Sequence, residues 1–240
     1  MKPSDMPEMT CVRLETPLES RVNAAWLLGR LESALLVPVE LASRDSGTPR
    51  PPHQRTIVGC AWTDTHLHIA FHCDDTDAWS TFSQRDDPLY GEEVVEVFLS
   101  PTGDLRHYFE LELSPRNVLF DAAVHSPDLH RLTMTADTAW DCAGMTTSVE
   151  TPFPVHSAPP DARVNRSNER GWWQGEFYIP FVGLGVESPR PGDAWRINFF
   201  RIDRPGAPAS VEFSAWSPTG ESPPNFQVPS RFGRLVFGSR

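Results

Sequence analysis

No apolar run approaches the roughly 20 residues that a membrane-spanning helix needs, so no membrane partner is expected. Basic residues are few and dispersed: 21 Lys and Arg stand against 32 Asp and Glu, a formal charge of −11. Nucleic-acid binding relies on concentrated cations that release counterions, so that partner class is excluded as well. The four cysteines, Cys11, Cys60, Cys73 and Cys142, form no CxxC pair, and this spacing supports neither a zinc knuckle, nor a redox motif, nor a disulfide framework. GxSxG, P-loop and HExxH signatures are missing, and with them the common nucleophilic, nucleotide and zinc chemistries. Residues 1–13 carry charges of both signs and no apolar segment, and Ala34-Leu35-Leu36-Val37 is too short and too far in to be a signal. No export signal is therefore expected; the location stays open, with the cytoplasm preferred.

What is abundant is proline and tryptophan, 24 and 8 of the 240 residues, a profile that suits loop-rich β structure. Helical spacing is best over residues 18–36, where Val22, Ala25, Trp26, Leu28 and Leu31 predict one short N-terminal helix. From Arg55 the period changes to two. Residues 56–62 and 66–73 read as a hairpin about a short polar turn, with Leu67, Ile69, Phe71 and Cys73 facing in and His66, His68 and His72 facing out. Residues 94–100 and 105–113 alternate in the same way: Val95, Val97 and Leu99 share one face of the first, Val94, Glu96 and Phe98 the other. Further short runs follow to residue 237, separated by Ser114-Pro115, Pro191-Gly192-Asp193 and Arg204-Pro205-Gly206, with a long excursion over 151–170. The pattern predicts an all-β chain, an antiparallel jelly-roll-like β-sandwich with long loops, as one domain over residues 1–240.

The stretch from Asp86 to Pro101 carries the most chemistry, since it sets a turn, an exposed aromatic and three carboxylates onto a strand. Glu96, Glu110 and Glu112 fall on the outward faces of strands expected to be neighbours, where two of them approach glycosidase separation; solvated carboxylates on an antiparallel sheet are the plainer reading. Asp74, Asp75 and Asp77 are calcium candidates, although the EF-hand spacing is absent and a strand-end turn explains them equally. The three histidines can share a metal, or simply face water. Trp62, Trp195 and Trp216 are expected in the core, whereas Tyr90 and Phe226, bracketed by loop Pro and Gly, can offer flat apolar faces to a ligand, as can Trp79, Trp172 and Trp173.

Several segments, in this order and spacing, resemble the family 9 carbohydrate-binding modules and the related DOMON domains. They are residues 56–62 with 67–75, 90–100, the run Gly171-Trp172-Trp173-Gln174-Gly175-Glu176-Phe177-Tyr178-Ile179-Pro180, residues 195–201, Trp216-Ser217-Pro218 and residues 229–235. The resemblance implies a β-sandwich in which two aromatics clamp a terminal sugar and polar side chains bind its hydroxyls. The clamp falls on Tyr90 and Phe226 where the family typically has two tryptophans, a family carboxylate on Glu96, and Glu110 stands where a sugar-binding member has Arg. Arg201 then donates to the ligand or neutralises Glu96. The implied function is non-catalytic recognition of an oligo- or polysaccharide, with no cofactor beyond structural calcium. The alternatives are a glycoside-active enzyme using a Glu pair and a DOMON-like haem binder.

Overall fold

The computed structural model describes residues 6–14, 28, 33–38, 52–158, 171–205 and 211–239. Its regular elements are strands and short 3-10 turns: β1 (Glu8–Arg13), β2 (Ser33–Leu35), β3 (Val37–Pro38), β4 (Thr56–Trp62), β5 (His66–Asp74), β6 (Val94–Ser100), β7 (His107–Leu113), β8 (Leu119–His125), β9 (Thr135–Asp137), β10 (Thr146–Glu150), β11 (Trp172–Pro180), β12 (Ala194–Asp203), β13 (Glu212–Ala215) and β14 (Gly233–Phe237). Most of the segment expected as a helix, 18–36, lies outside the described residues; Leu28, described within it, is helical. Its end is a correction: Ser33–Leu35 is strand, paired antiparallel with β4.

The strands hydrogen-bond along one curled path, β10-β11-β5-β4-β1-β14-β12-β6-β7-β8-β9, with β2 on β4 and β13 joining β12 to β3. β1 runs parallel to both of its neighbours, β4 and β14. The expected β4–β5 hairpin is present, and Thr63 shapes its turn by accepting from the backbone N–H of His66 at 3.1 Å and of Thr65 at 3.3 Å.

Curling brings the two halves of the path face to face. Val58, Cys60, Leu67, Ile69, Phe71, Phe177 and Ile179 from β4, β5 and β11 pack in one cluster with Val95, Val97, Leu99, Leu111, Leu113, Ile197 and Phe199 from β6, β7 and β12. Phe71 touches both halves, its ring 6.2 Å from Phe177 and 6.0 Å from Phe199. Burial of each such side chain contributes about 1.5–3 kcal/mol, which makes the shared core the main stabilising term. Trp62, Trp195 and Trp216 are buried in it as their sequence context predicts. All four cysteines are free and buried.

Candidate functional site

The face of β6, β7, β8 and β12 that points away from this core is covered as well. Val94, Phe98, Tyr108, Phe120, Ala122, Val124, Phe200 and Ile202 form a second apolar cluster, roofed by Leu89, Phe226 and Phe232 from the connecting segments. The register places three carboxylates inside that layer: Glu96 sits opposite Glu112, and Phe98 opposite Glu110. Expected in water, Glu96, Glu110 and Glu112 are instead 1%, 7% and 0% exposed. The correction has a largely non-local cause: Leu89 comes from the turn just before β6, but Phe226 and Phe232 come from far along the chain.

One oxygen from each of the three glutamates lies within 4.8 Å of the others. Gln227 Nε2 donates to both oxygens of Glu110, at 3.1 and 3.0 Å, and Gln227 Oε1 accepts the Tyr108 hydroxyl. Glu96 Oε1 and both oxygens of Glu112 have no hydrogen-bond partner among the described residues. Burial pushes the Glu110 carboxyl up to about 7 against the lowering by Gln227. Burial, reinforced by the neighbouring glutamates, raises Glu96 and Glu112 well above the usual carboxylate range.

Tyr90 stands at the rim. It lies on the 3-10 turn Leu89–Gly91 immediately before β6, where Leu89 is buried and anchors the turn. The Tyr90 ring is 53% exposed and meets Phe120 edge-on at 6.3 Å, so a flat aromatic surface is open to solvent. Phe226 is placed differently. It is 8% exposed and stacks on Phe200 at 4.2 Å with an interplanar angle of 21°, which occupies one of its faces. Gln227, its neighbour, ties the same loop to Glu110.

Arg201 does not join this group. Paired with Val95 while Phe200 pairs with Glu96, it points to the main-core side of β12. There its Nη2 meets Asp75 Oδ2 at 2.8 Å and Asp203 Oδ1 at 3.2 Å, and its Nη1 donates to Thr56 Oγ1 and to the Asp74 carbonyl at 3.0 Å. The expectation that it neutralises Glu96 or donates to a ligand there is corrected: strand alternation sends it the other way. Desolvation pushes Asp203 up to about 6, partly offset by Arg201.

Asp74, Asp75 and Asp77 do not converge on one another. Asp75 belongs to a cluster with Glu93 and Asp203, accepts from Trp173 Nε1 at 3.2 Å and from the Asp77 backbone at 3.0 Å, and is buried. Asp74 lies 3.3 Å from His72 Nε2 at the surface. Asp75, Asp77 and Trp172 do line a common cleft of about 170 Å³. Trp79 and Trp173 are buried rather than offered to a ligand, and Trp79 Nε1 donates to the Arg204 carbonyl at 2.9 Å. Of the three histidines only His68 is buried. Its two ring nitrogens are unpartnered among the described residues, and its ring meets Tyr178 edge-on at 5.1 Å.

Sequence spacing does not single out Gln227, Glu93 or Asp203. Asp203 was legible in principle, two residues after Arg201 on the same strand and hence on its face. Gln227 and Glu93 owe their roles to tertiary contacts that no local spacing encodes.

No family model matches the chain. An extracellular protein of Arthroderma benhamiae is 27% identical over 193 residues, 78% of this chain and 80% of that protein. The preference for a cytoplasmic location therefore finds no support. Among solved structures, a candidate carbohydrate-binding protein of Bacteroides uniformis superposes with a TM-score of 0.70 at 18% identity, over 97% of this chain and 99% of that one. A family 9 carbohydrate-binding module of Caldicellulosiruptor kristjanssonii in complex with cellotriose gives a TM-score of 0.60 at 14% identity, over 98% and 95%. The complex of such a module from the same organism with glucose gives 0.60 at 15%, over 98% and 97%. With these coverages, the chain has the fold of the family 9 carbohydrate-binding modules along nearly its whole length.

Proposed function

We propose that residues 1–240 form a single β-sandwich domain that binds carbohydrate without transforming it, on the face of β6, β7 and β12 beside Tyr90. The observation that carries this reading is an exposed aromatic ring at the rim of a layer holding buried carboxylate oxygens without donors among the described residues. A buried acceptor left unpaired costs about 1–3 kcal/mol, which a ligand hydroxyl recovers. The same pyranose presents a C–H face that packs on the Tyr90 ring. Glu96 and Glu110 are the hydroxyl acceptors in this reading, and Phe226 is the opposite wall, held beside Glu110 by Gln227. Because the carboxylates are covered, a sugar reaches them only as the loop carrying Phe226 and Gln227 yields.

The ligands of the two modules with this fold make glucose and cellotriose the first sugars to try. Calorimetric binding of either, lost in Tyr90→Ala, is the expected result. No heat with any sugar of a glycan array would overturn it. A second reading has one observation in its favour: Glu110, pushed up to about 7 beside two other carboxylates, has the protonation of a general acid. Turnover of an aryl glycoside, abolished by Glu96→Gln, would establish that enzyme and displace the binding module. A Soret band in the purified protein would displace both in favour of haem. The Arthroderma relative supports an extracellular setting for this domain.

A further inference from the structure

Three triads of carboxylates occur among the described residues, each with one oxygen per residue within 4.8 Å of the others: Asp75/Glu93/Asp203, Asp86/Asp121/Asp141 and Glu96/Glu110/Glu112. Two of them carry their own cation. Arg201 bonds Asp75 and Asp203 in the first. Arg85 Nε sits 2.6 Å from Asp141 and 3.8 Å from Asp86 in the second, and its Nη2 bonds Asp121. The third is as deeply buried as the first, yet no ion pair among the described residues involves it. Arg131 acts on Glu110 only as a distant charge.

A further observation separates the third triad from a mere crowd of acids. Glu112 is fully buried and lies within the cluster, and neither of its oxygens has a partner in hydrogen-bond geometry among the described residues, although the Tyr90 backbone N–H and the Glu110 carboxyl are near enough to influence it. Glu96 Oε1 is in the same condition. A buried carboxyl is paired, coordinated or neutralised by a proton, and no cation among the described residues pairs with these.

We infer that Glu96, Glu110 and Glu112 bind a hard divalent cation, calcium in the first instance, in place of the guanidinium that the other two triads hold. The donor set is all oxygen, the chemistry of calcium, magnesium and manganese rather than of zinc or copper. Two ligands of one calcium, each at about 2.4 Å, lie at most about 4.8 Å apart, and the three glutamate oxygens lie within that limit, as do those of the other two triads, which their arginines set apart. Calcium also accepts carboxylates in one- or two-oxygen mode without strict geometry, which suits side chains fixed by strand register. The inference goes beyond the carbohydrate reading, with which it shares Glu96 and Glu110, and it is read out without sugar.

The test uses the full chain stripped with EDTA and titrated calorimetrically with calcium chloride, alongside thermal unfolding with and without the ion. One calcium per chain binds saturably and raises the midpoint of unfolding. Glu112→Gln weakens binding at least tenfold and removes the calcium-dependent rise, whereas Asp141→Asn, in the Arg85 triad, keeps both. Should Glu112→Gln not fold, Glu96→Gln is read the same way. No saturable uptake by the wild type up to millimolar calcium, or uptake unchanged in both glutamine variants, overturns the inference. Cellotriose binding that persists in EDTA with no calcium uptake removes the ion and leaves the carbohydrate reading; calcium uptake without sugar binding does the reverse.

Discussion

Arg201 and Asp75 meet at 2.8 Å across 126 positions of sequence, both fully buried, and their pair ties β12 to the end of β5. Desolvating these charges is costly, so the pair is a weak source of net stability but a severe loss when only one partner is removed. Arg201→Met leaves Asp75, Glu93 and Asp203 together without their cation. It is expected to lower unfolding stability by about 3–5 kcal/mol. Arg201→Lys keeps the charge and loses the planar fork, and falls between the two. Chemical denaturation of the three proteins checks the order.

His68 gives a pH signature. Desolvation lowers its pKa to about 4, with His66 adding to the effect. The folded value thus lies below the unfolded one, about 6.5. The stability linked to neutral His68 is present above pH 6.5 and is lost as pH falls through 4. Relative to His68→Phe, the wild type should lose about 2–3 kcal/mol between pH 7 and pH 4. Parallel slopes of stability against pH in the two proteins would contradict this.

Tyr90 and Phe226 should separate binding from folding. Tyr90→Ala removes a half-exposed ring and is expected to cost under about 0.5 kcal/mol of stability while abolishing sugar binding. Phe226→Ala vacates the stack on Phe200 and should cost about 3 kcal/mol. Thermal unfolding and cellotriose calorimetry on both variants give the comparison.

Gly233 marks the closest approach at the start of β14. A Cβ there would lie 2.5 Å from Trp216 Cζ3 and 2.7 Å from the Pro7 carbonyl oxygen. Gly233→Ala should therefore destabilise by about 1–3 kcal/mol through displacement of the Trp216 ring or of the chain entering β1. An unchanged denaturation midpoint would show that this seam relaxes freely.

Alternation was legible where one face of a strand is apolar and the other mixed. Leu67, Ile69, Phe71 and Cys73 are all in the core, as are Val95, Val97 and Leu99. It failed to say what lies on the second face. Glu96, Glu110 and Glu112 look solvated from their own strands because Phe226 and Phe232, which help to bury them, are remote in sequence. The side taken by Arg201 is illegible for a related reason: Asn198-Phe199-Phe200-Arg201-Ile202 is apolar on both faces, so its period does not reveal which side meets the core. The exposure of Tyr90 is legible, because Pro88 and Gly91 bracket it in a turn whose structure is local. Phe226, bracketed in the same way, is held by contacts that its bracket does not encode.

The ladder between the first and last strands has a mechanical consequence. β1 and β14 run parallel in register from Glu8 opposite Arg234 to Cys11 opposite Phe237, and β1 lies between β14 and β4 in the path. A force applied at the two ends draws β1 and β14 in opposite directions along their length. Their hydrogen bonds are then loaded together rather than one after another. The domain thus closes with a clasp that bears tension in shear, and the load reaches the bonded seam before it reaches the covered glutamates.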